Sequence, residues 1–272
     1  MEGFGSPSLD LLDALTSAIR GVLGDDLVGL YLYGSAVTGG FDAGVSDLDL
    51  AAVTAPEVEA LDLAGFERMH RLFEEQNPEW SGRIEVVYIG EATLTSFRTS
   101  AGSVAVISPG EPFHVRDDRV ADWLQNWYVA DWLQNWYLVR ATGRPLTGPP
   151  ADEVVPPVAW SEFVDATIHY ADEVGKRSRG DGGGGTLAYT ILTLCRALRV
   201  VRTHTPGSKQ AGAVWARECF PDWAWLIDAS LACRLSGGKT GLDDEASRAG
   251  AETFITLIAA EISGGDAVRA VQ

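Results

Sequence analysis

The stretch from Val28 to Val53, VGLYLYGSAVTGGFDAGVSDLDLAAV, constrains this chain more than any other. An apolar, β-prone run from Val28 to Tyr33 meets Gly34-Ser35, and a glycine-rich turn of eleven residues follows. A second apolar run then carries Asp47 and Asp49 in place of two of its side chains. Successive side chains of a strand point to opposite faces, so Asp47 and Asp49 share one face while Leu48 and Leu50 enter the core. Two carboxylates side by side on a half-buried strand repel each other and cost desolvation energy unless something positive joins them. A hard divalent cation such as Mg²⁺ resolves that conflict, because it takes carboxylate oxygens and keeps positions open for phosphate oxygens. Gly34 lets the backbone come close to a ligand. Ser35 stands at the start of a helical turn, where N–H groups and a hydroxyl can hold phosphate. Taken singly, Gly-Ser is a turn and Asp-x-Asp is surface decoration. In this order they read as a phosphate cradle next to a metal clamp.

This arrangement resembles the signature of the polymerase-β-like nucleotidyltransferase superfamily. The wording LYGSAVTGG…SDLDL is similar to that of the aminoglycoside adenylyltransferases that modify streptomycin and spectinomycin. The resemblance implies ATP and Mg²⁺ as cofactors, with Asp47 and Asp49 as metal ligands and Gly34 and Ser35 at the nucleotide. Ser46, directly before the pair, matches a nucleotide-contacting serine of the family and equally suits a turn.

The length of 272 residues and an apolar content of 46% with nine Trp suit one large domain or two modest ones with a real core. No apolar run is long enough to span a membrane, and the start, MEGFGSPSLD, lacks the basic and apolar segments of a signal peptide. A cytoplasmic chain with no membrane partner is expected. Cys195, Cys219 and Cys233 lack metal-ligand spacing and read as buried thiols in a reducing compartment. A net charge of −17 argues against a nucleic-acid partner, whose backbone needs clustered Lys and Arg. It suits attraction of a polycationic small molecule, and it equally suits plain solubility.

Residues 8–24 have helical apolar spacing at Leu11, Leu12, Leu15, Ile19 and Val22, closed by glycine. After the signature, Thr54 and Pro56 are expected to open a helix over PEVEALDLAGFERMHRLFEEQ. RIEVVYIG is a third strand with Glu85 among apolar neighbours, either an edge-strand surface residue or a third acid facing the Asp pair. A hydroxyl nucleophile needs a positioned base or a metal, which favours the second. The resemblance agrees, because a Glu in an L/I-E-V strand is the family's catalytic base and Glu85 matches it. Residues 102–118 read as short extended pieces broken by turns, and His114 there has no metal-ligand spacing. VADWLQNWY at 120–128 recurs letter for letter at 129–137. Nine residues of helix turn through about 900°, so the copies face opposite sides. A recent local duplication is expected, with the second copy in the original position and the first as the insertion.

The proline-dense stretch at 147–160 reads as a linker. The expected organisation is α+β: a nucleotidyltransferase domain over 1–150 with a mixed sheet and flanking helices, a linker at 151–160, and an α-helical bundle over 161–272. GDGGGG at 180–185 is expected to be a flexible loop. The following helix has a clean stripe at Leu187, Ile191, Leu194, Leu198 and Val201. Between Lys176 and Lys209 there are seven basic residues against Asp181, a local +6 in a chain of −17. Arg196, Arg199 and Arg202 lie off the stripe and are free to face a ligand such as a triphosphate, and they equally suit a basic helix face that neutralises the acidic remainder. The resemblance selects two, since the family has an Arg in T-L-x-R and a Lys after the next turn, both reaching ATP phosphates. Here TLCR gives Arg196 and GSKQ gives Lys209.

These readings converge on transfer of AMP from ATP to a hydroxyl of a small cationic acceptor of the aminoglycoside type, in a cleft between the domains. A nucleotidyltransferase that modifies a protein partner and a non-catalytic nucleotide-binding regulator remain open alternatives at this point.

Overall fold

The computed structural model describes residues 7–99, 102–118, 127–178 and 183–264. They fall into two units, Met1–Ala159 and Trp160–Gln272.

In the first unit, Ser8 accepts the Leu11 N–H at 3.2 Å and starts helix α1 (Leu9–Leu23). Its buried face is Leu11, Leu12, Leu15, Ile19 and Leu23, and Gly24, at φ 55°, turns the chain out of it. Among the described residues six strands follow: β1 (Leu27–Leu32), β2 (Leu48–Thr54), β3 (Ile84–Gly90), β4 (Gly102–Ser108), β5 (Glu111–Asp118) and β6 (Arg144–Thr147). They form one sheet in the order β5-β4-β3-β2-β1-β6. Among the described residues, only β2 and β3 run parallel. Parallel neighbours need a long crossover, and helix α3 (Leu63–Gln76) lies within it. Helix α2 (Ser35–Thr38) is a single turn after β1. One face of the sheet, with Leu30, Leu32, Leu48, Leu50, Ile84 and Val86, joins α1 and α3 in a common core. The opposite face carries Tyr31, Ala51, Val53 and Val87, also buried. The α+β reading holds.

Several local expectations change. Helix α3 starts at Leu63, not at Pro56, because Asp62 accepts the Gly65 N–H at 2.9 Å and supplies the cap. The Thr54 hydroxyl instead bonds the carbonyls of Pro56 and Ile89 and belongs to the end of β2. Residues 102–118 form a true hairpin of β4 and β5. Helix α4 (Glu91–Ser96) precedes that hairpin, and helix α5 (Trp127–Thr142) follows it. In α5 the second copy of the repeat is packed: Trp132, Leu133, Gln134 and Trp136 are buried, and the two indoles stack at 5.7 Å. Residues 120–126 of the first copy lie outside the described residues. The proline-dense stretch lies against the first unit. It follows directly on β6, which pairs with β1, forms the short helix α6 (Ala151–Val154), and buries Ala151, Val155 and Val158. Pro149 accepts the Tyr31 hydroxyl at 3.1 Å, and the Arg140 guanidinium donates to the carbonyls of Asp152 and Val155. The division between units falls after Ala159.

The second unit is helical: α7 (Trp160–Arg177), α8 (Gly184–Thr203), α9 (Lys209–Cys219), α10 (Ala224–Leu235) and α11 (Glu245–Gly264). The expected stripe of α8 is buried in full. The end of the glycine run belongs to α8, not to a loop. A Cβ at Gly184 would lie 2.2 Å from the Leu242 N, so glycine is required for that close approach. Residues 179–182 lie outside the described residues. Cys195 and Cys233 are buried as expected, but Cys219 is exposed at the last position of α9. Among the described residues no helix is long and apolar enough to cross a membrane.

Candidate active site

The site in the first unit is built by strand register. Asp49 of β2 is directly paired with Glu85 of β3 in the parallel ladder. In-register residues of neighbouring strands point to the same face about 4.8 Å apart, so the two carboxylates stand side by side. Leu48 and Leu50, with Ile84 and Val86, occupy the other face in the core. On the antiparallel side, Leu32 pairs with Leu50 and the Tyr33 N–H donates to the Asp49 carbonyl at 3.0 Å. Tyr33 therefore joins the same row, and its hydroxyl donates to Glu85 Oε1 at 3.4 Å. Tyr33 is buried, while Asp49 and Glu85 are half-buried. Asp47 is half-buried one residue before β2, where alternation assigns it to the Asp49 side.

Gly34 has a specific reason to be glycine. It sits at φ 67°, and a Cβ there would lie 1.9 Å from Asp49 Oδ2. The carboxylate thus occupies the space that a side chain would fill. Ser35 follows as the first residue of α2, whose turn is closed by the Thr38 hydroxyl on the Gly34 carbonyl at 2.9 Å. Ser46 is 2% exposed, and its hydroxyl accepts the Asp42 N–H at 2.9 Å. Arg83 donates to the carbonyls of Ser46 and Ala43 and stacks over Trp80, which fixes the loop leading into the Asp pair. Ser46 therefore has the turn role that its sequence position also allowed.

Among the described residues no group of three or more His, Cys, Asp or Glu side chains is gathered closely enough to hold a metal ion. The donor chemistry nevertheless fits Mg²⁺, which is commonly held by one or two carboxylates together with substrate phosphates and water. Asp47 and Asp49 are such a pair, with the Gly34 backbone drawn in against one of them.

In the second unit, the basic residues are sorted by packing. Arg199 donates to the carbonyls of Thr205 and Pro206 at 3.1 and 3.3 Å and braces the turn between α8 and α9. Arg202 pairs with Glu261, and Lys176 with Asp172 and Glu173. Arg199 and Arg202 are thus engaged by groups of the second unit itself. Arg196 and Lys209 are brought near each other. A Cβ at Gly212 would lie 2.5 Å from the Arg196 Cα, so α8 and α9 touch backbone to backbone. Ser208 accepts the Ala211 N–H at 3.1 Å and caps α9 one residue before Lys209. Burial, with the positive charges of Arg196 and Arg234, holds the Lys209 ammonium below the usual lysine range. Tyr189 opposes that shift, with Lys209 Nζ 3.9 Å from its ring centroid.

Sequence reasoning passed over Tyr33, Tyr189 and Arg234. Extending the strand alternation across the sheet would have found Tyr33, and the two-turn spacing to Arg196 would have found Tyr189. Nothing in the sequence ties Arg234 to this group. His114 takes no part in either cluster, with Nδ1 on the Pro112 carbonyl at 2.8 Å.

Comparison with known proteins gives one family-model match and a solved structure of similar fold. Residues 153–260 match the family model of the aminoglycoside adenylyltransferase C-terminal domain. The fold is similar to the crystal structure of spectinomycin adenyltransferase AAD(9) from Enterococcus faecialis with ATP and spectinomycin. That match has a TM-score of 0.69 at 17% identity, covering 94% of this chain and 99% of that one. Comparison of the sequence with curated proteins gives no significant match. Residues 153–260 thus resemble the C-terminal domain of the aminoglycoside adenylyltransferases, and the likeness to the solved structure is one of fold.

Proposed function

We propose that the chain transfers AMP from ATP to a hydroxyl of an aminoglycoside-type acceptor. The observation that carries this reading is the row of Asp49 and Glu85 in register, with Gly34 drawn against Asp49. It is supported by the family of the C-terminal region and by a neighbour of the same fold whose structure contains ATP and spectinomycin.

In this reading the acceptor oxygen attacks the α-phosphorus, the bond to the β-phosphate oxygen breaks, and pyrophosphate leaves. Glu85 receives the acceptor's proton, as a carboxylate positioned by its strand can. Gly34 and Ser35 hold nucleotide phosphate through backbone N–H groups and a hydroxyl. Ser46 contributes through the loop it secures. Arg196 and Lys209 bind phosphate oxygens as charge-assisted donors. Asp47 and Asp49 would hold Mg²⁺, which when bound withdraws charge from the phosphate oxygens. The acidic chain, at −17, draws a polycationic acceptor towards it.

The test is pyrophosphate release from ATP and Mg²⁺ across a panel of aminoglycosides and aminocyclitols, with mass spectrometry of the product. A mass increase of one AMP on an acceptor is expected. Release that no small acceptor stimulates, with AMP found on a co-purifying protein, would overturn the acceptor class.

A further inference from the structure

Lys209 stands where its charge is disfavoured. It is partly buried, and two guanidiniums, those of Arg196 and Arg234, act on it. A flexible four-carbon stem allows such an ammonium to swing away into water. Instead Nζ lies 3.9 Å from the centroid of the Tyr189 ring. An ammonium over an aromatic face is attracted by the ring's quadrupole, more strongly as water is removed. The ring is itself anchored, because the hydroxyls of Tyr189 and Tyr170 are 2.8 Å apart. Tyr170 is buried on α7, whereas Tyr189 is 42% exposed on α8. An exposed ring tied at its hydroxyl and carrying a lysine on its face is not explained by core packing.

We infer that Tyr189 is a positioning residue that holds Lys209 beside Arg196, so that both cations are in place for a polyphosphate before it binds. The inference rests on the reading of Arg196 and Lys209 as phosphate-binding residues. The repulsion among the three cations is relieved when the anion arrives, as the repulsion between Asp47 and Asp49 is relieved by a cation. Until then the Tyr189 face, fixed through Tyr170, keeps the lysine from leaving.

The test uses the full chain and measures the affinity of ATP and of inorganic tripolyphosphate, which has no base to stack. Tyr189→Leu is expected to weaken both ligands by roughly tenfold, the scale of a partly desolvated cation–π contact. Tyr189→Phe keeps the face but loses the hydroxyl tie to Tyr170, and it is expected to recover part of that affinity, which a variant that merely misfolds would not do. In steady-state assays the KM for ATP rises while kcat changes little. In a Lys209→Ala background, Tyr189→Leu adds nothing. The inference is overturned if the two substitutions weaken tripolyphosphate additively, or if Tyr189→Leu weakens ATP alone and so marks the ring as a base-stacking platform. Normal binding by Tyr189→Leu with weak binding by Lys209→Ala removes the inference and leaves the phosphate reading intact. Normal tripolyphosphate binding by Lys209→Ala removes both.

Discussion

The two units assemble their charged groups by different means. In Met1–Ala159 the acids are placed by register: Asp49 stands opposite Glu85 because β2 and β3 run parallel and in step. In Trp160–Gln272 the cations are placed by packing: Arg196 and Lys209 meet because α8 and α9 approach closely at Gly212. Register displays every second side chain on one face, so an acid inserted into an apolar alternation announces itself. Helix packing gives no such mark, and three arginines at helical spacing look alike until their neighbours are known. The comparison predicts that substitutions in the row act on turnover with little effect on folding. Substitutions among the helices act on affinity and stability.

The largest expected effect is that of Asp47→Asn. It removes one negative charge from the pair assigned to Mg²⁺, and transfer falls by roughly 10³-fold or more. Relief of carboxylate repulsion leaves the melting temperature unchanged or raised. A variant that retains activity, measured by pyrophosphate release at saturating Mg²⁺, breaks the assignment. Glu85→Gln comes next, with kcat lowered by about 10²–10⁴ and ATP affinity kept, as loss of a general base requires. Wild-type turnover in that variant removes Glu85 as base.

Two glycines set register and packing directly against each other. Gly34→Ala places a methyl 1.9 Å from Asp49 Oδ2 at φ 67°, so it strains the turn and displaces the carboxylate. A cost of about 1–3 kcal/mol and near-complete loss of transfer are expected. Gly212→Ala presses a methyl against the backbone of Arg196, 2.5 Å from its Cα. A similar cost of about 1–3 kcal/mol follows from overpacking, but the functional effect falls on the KM for ATP. If Gly212→Ala lowers kcat and spares KM, the contrast between the units fails.

The two modes also explain what was legible beforehand. The sheet residues Gly34, Asp47, Asp49 and Glu85 were readable because a strand of six or seven residues carries its own alternation. The α8 stripe was readable for the same reason at a period of 3.6. What was not readable depended on partners distant in sequence. The Thr54 hydroxyl is claimed by the Ile89 carbonyl, so the helix expected at Pro56 starts only when Asp62 supplies a cap. Gly184 looks like loop, yet it is required by the backbone of Leu242, 58 residues away in sequence. The turn duty of Arg199 and the pairing of Arg202 with Glu261 likewise come from tertiary neighbours.

His70 offers a test confined to stability. It is buried against Phe113 and Tyr88 of the first unit, with Nε2 2.7 Å from the Tyr88 hydroxyl, and desolvation lowers its pKa to about 4. The folded state therefore prefers the neutral ring. Below the unfolded pKa of about 6.5 the unfolded chain binds the proton more readily, so stability falls as pH drops from about 6.5 to 4. The whole window amounts to on the order of 3 kcal/mol, and above it the contribution is fully present. Urea titrations at stepped pH on wild type and His70→Gln check this, the variant giving a flatter profile across that window. An equally steep fall in the variant assigns the pH dependence to other groups.

The smallest effects belong to the two arginines of α8 that packing has diverted from a ligand, and they are the finest test of the contrast. Arg199 donates to two turn carbonyls, and its removal leaves them to water at a cost of about 1 kcal/mol. Arg202 and Glu261 are both more than a third exposed, so solvent screening holds their pair to roughly 0.5 kcal/mol or less. Neither Arg199→Ala nor Arg202→Ala should change ATP affinity by more than about twofold, whereas Arg196→Ala should weaken it by at least tenfold. A basic helix acting as a diffuse electrostatic face would respond differently. Each of the three substitutions would then weaken ATP by a similar small factor that disappears at high salt. Graded, salt-sensitive losses at all three positions would show that charge, and not the packing at Gly212, selects the ligand. A single large loss at Arg196 that persists in salt would show the reverse.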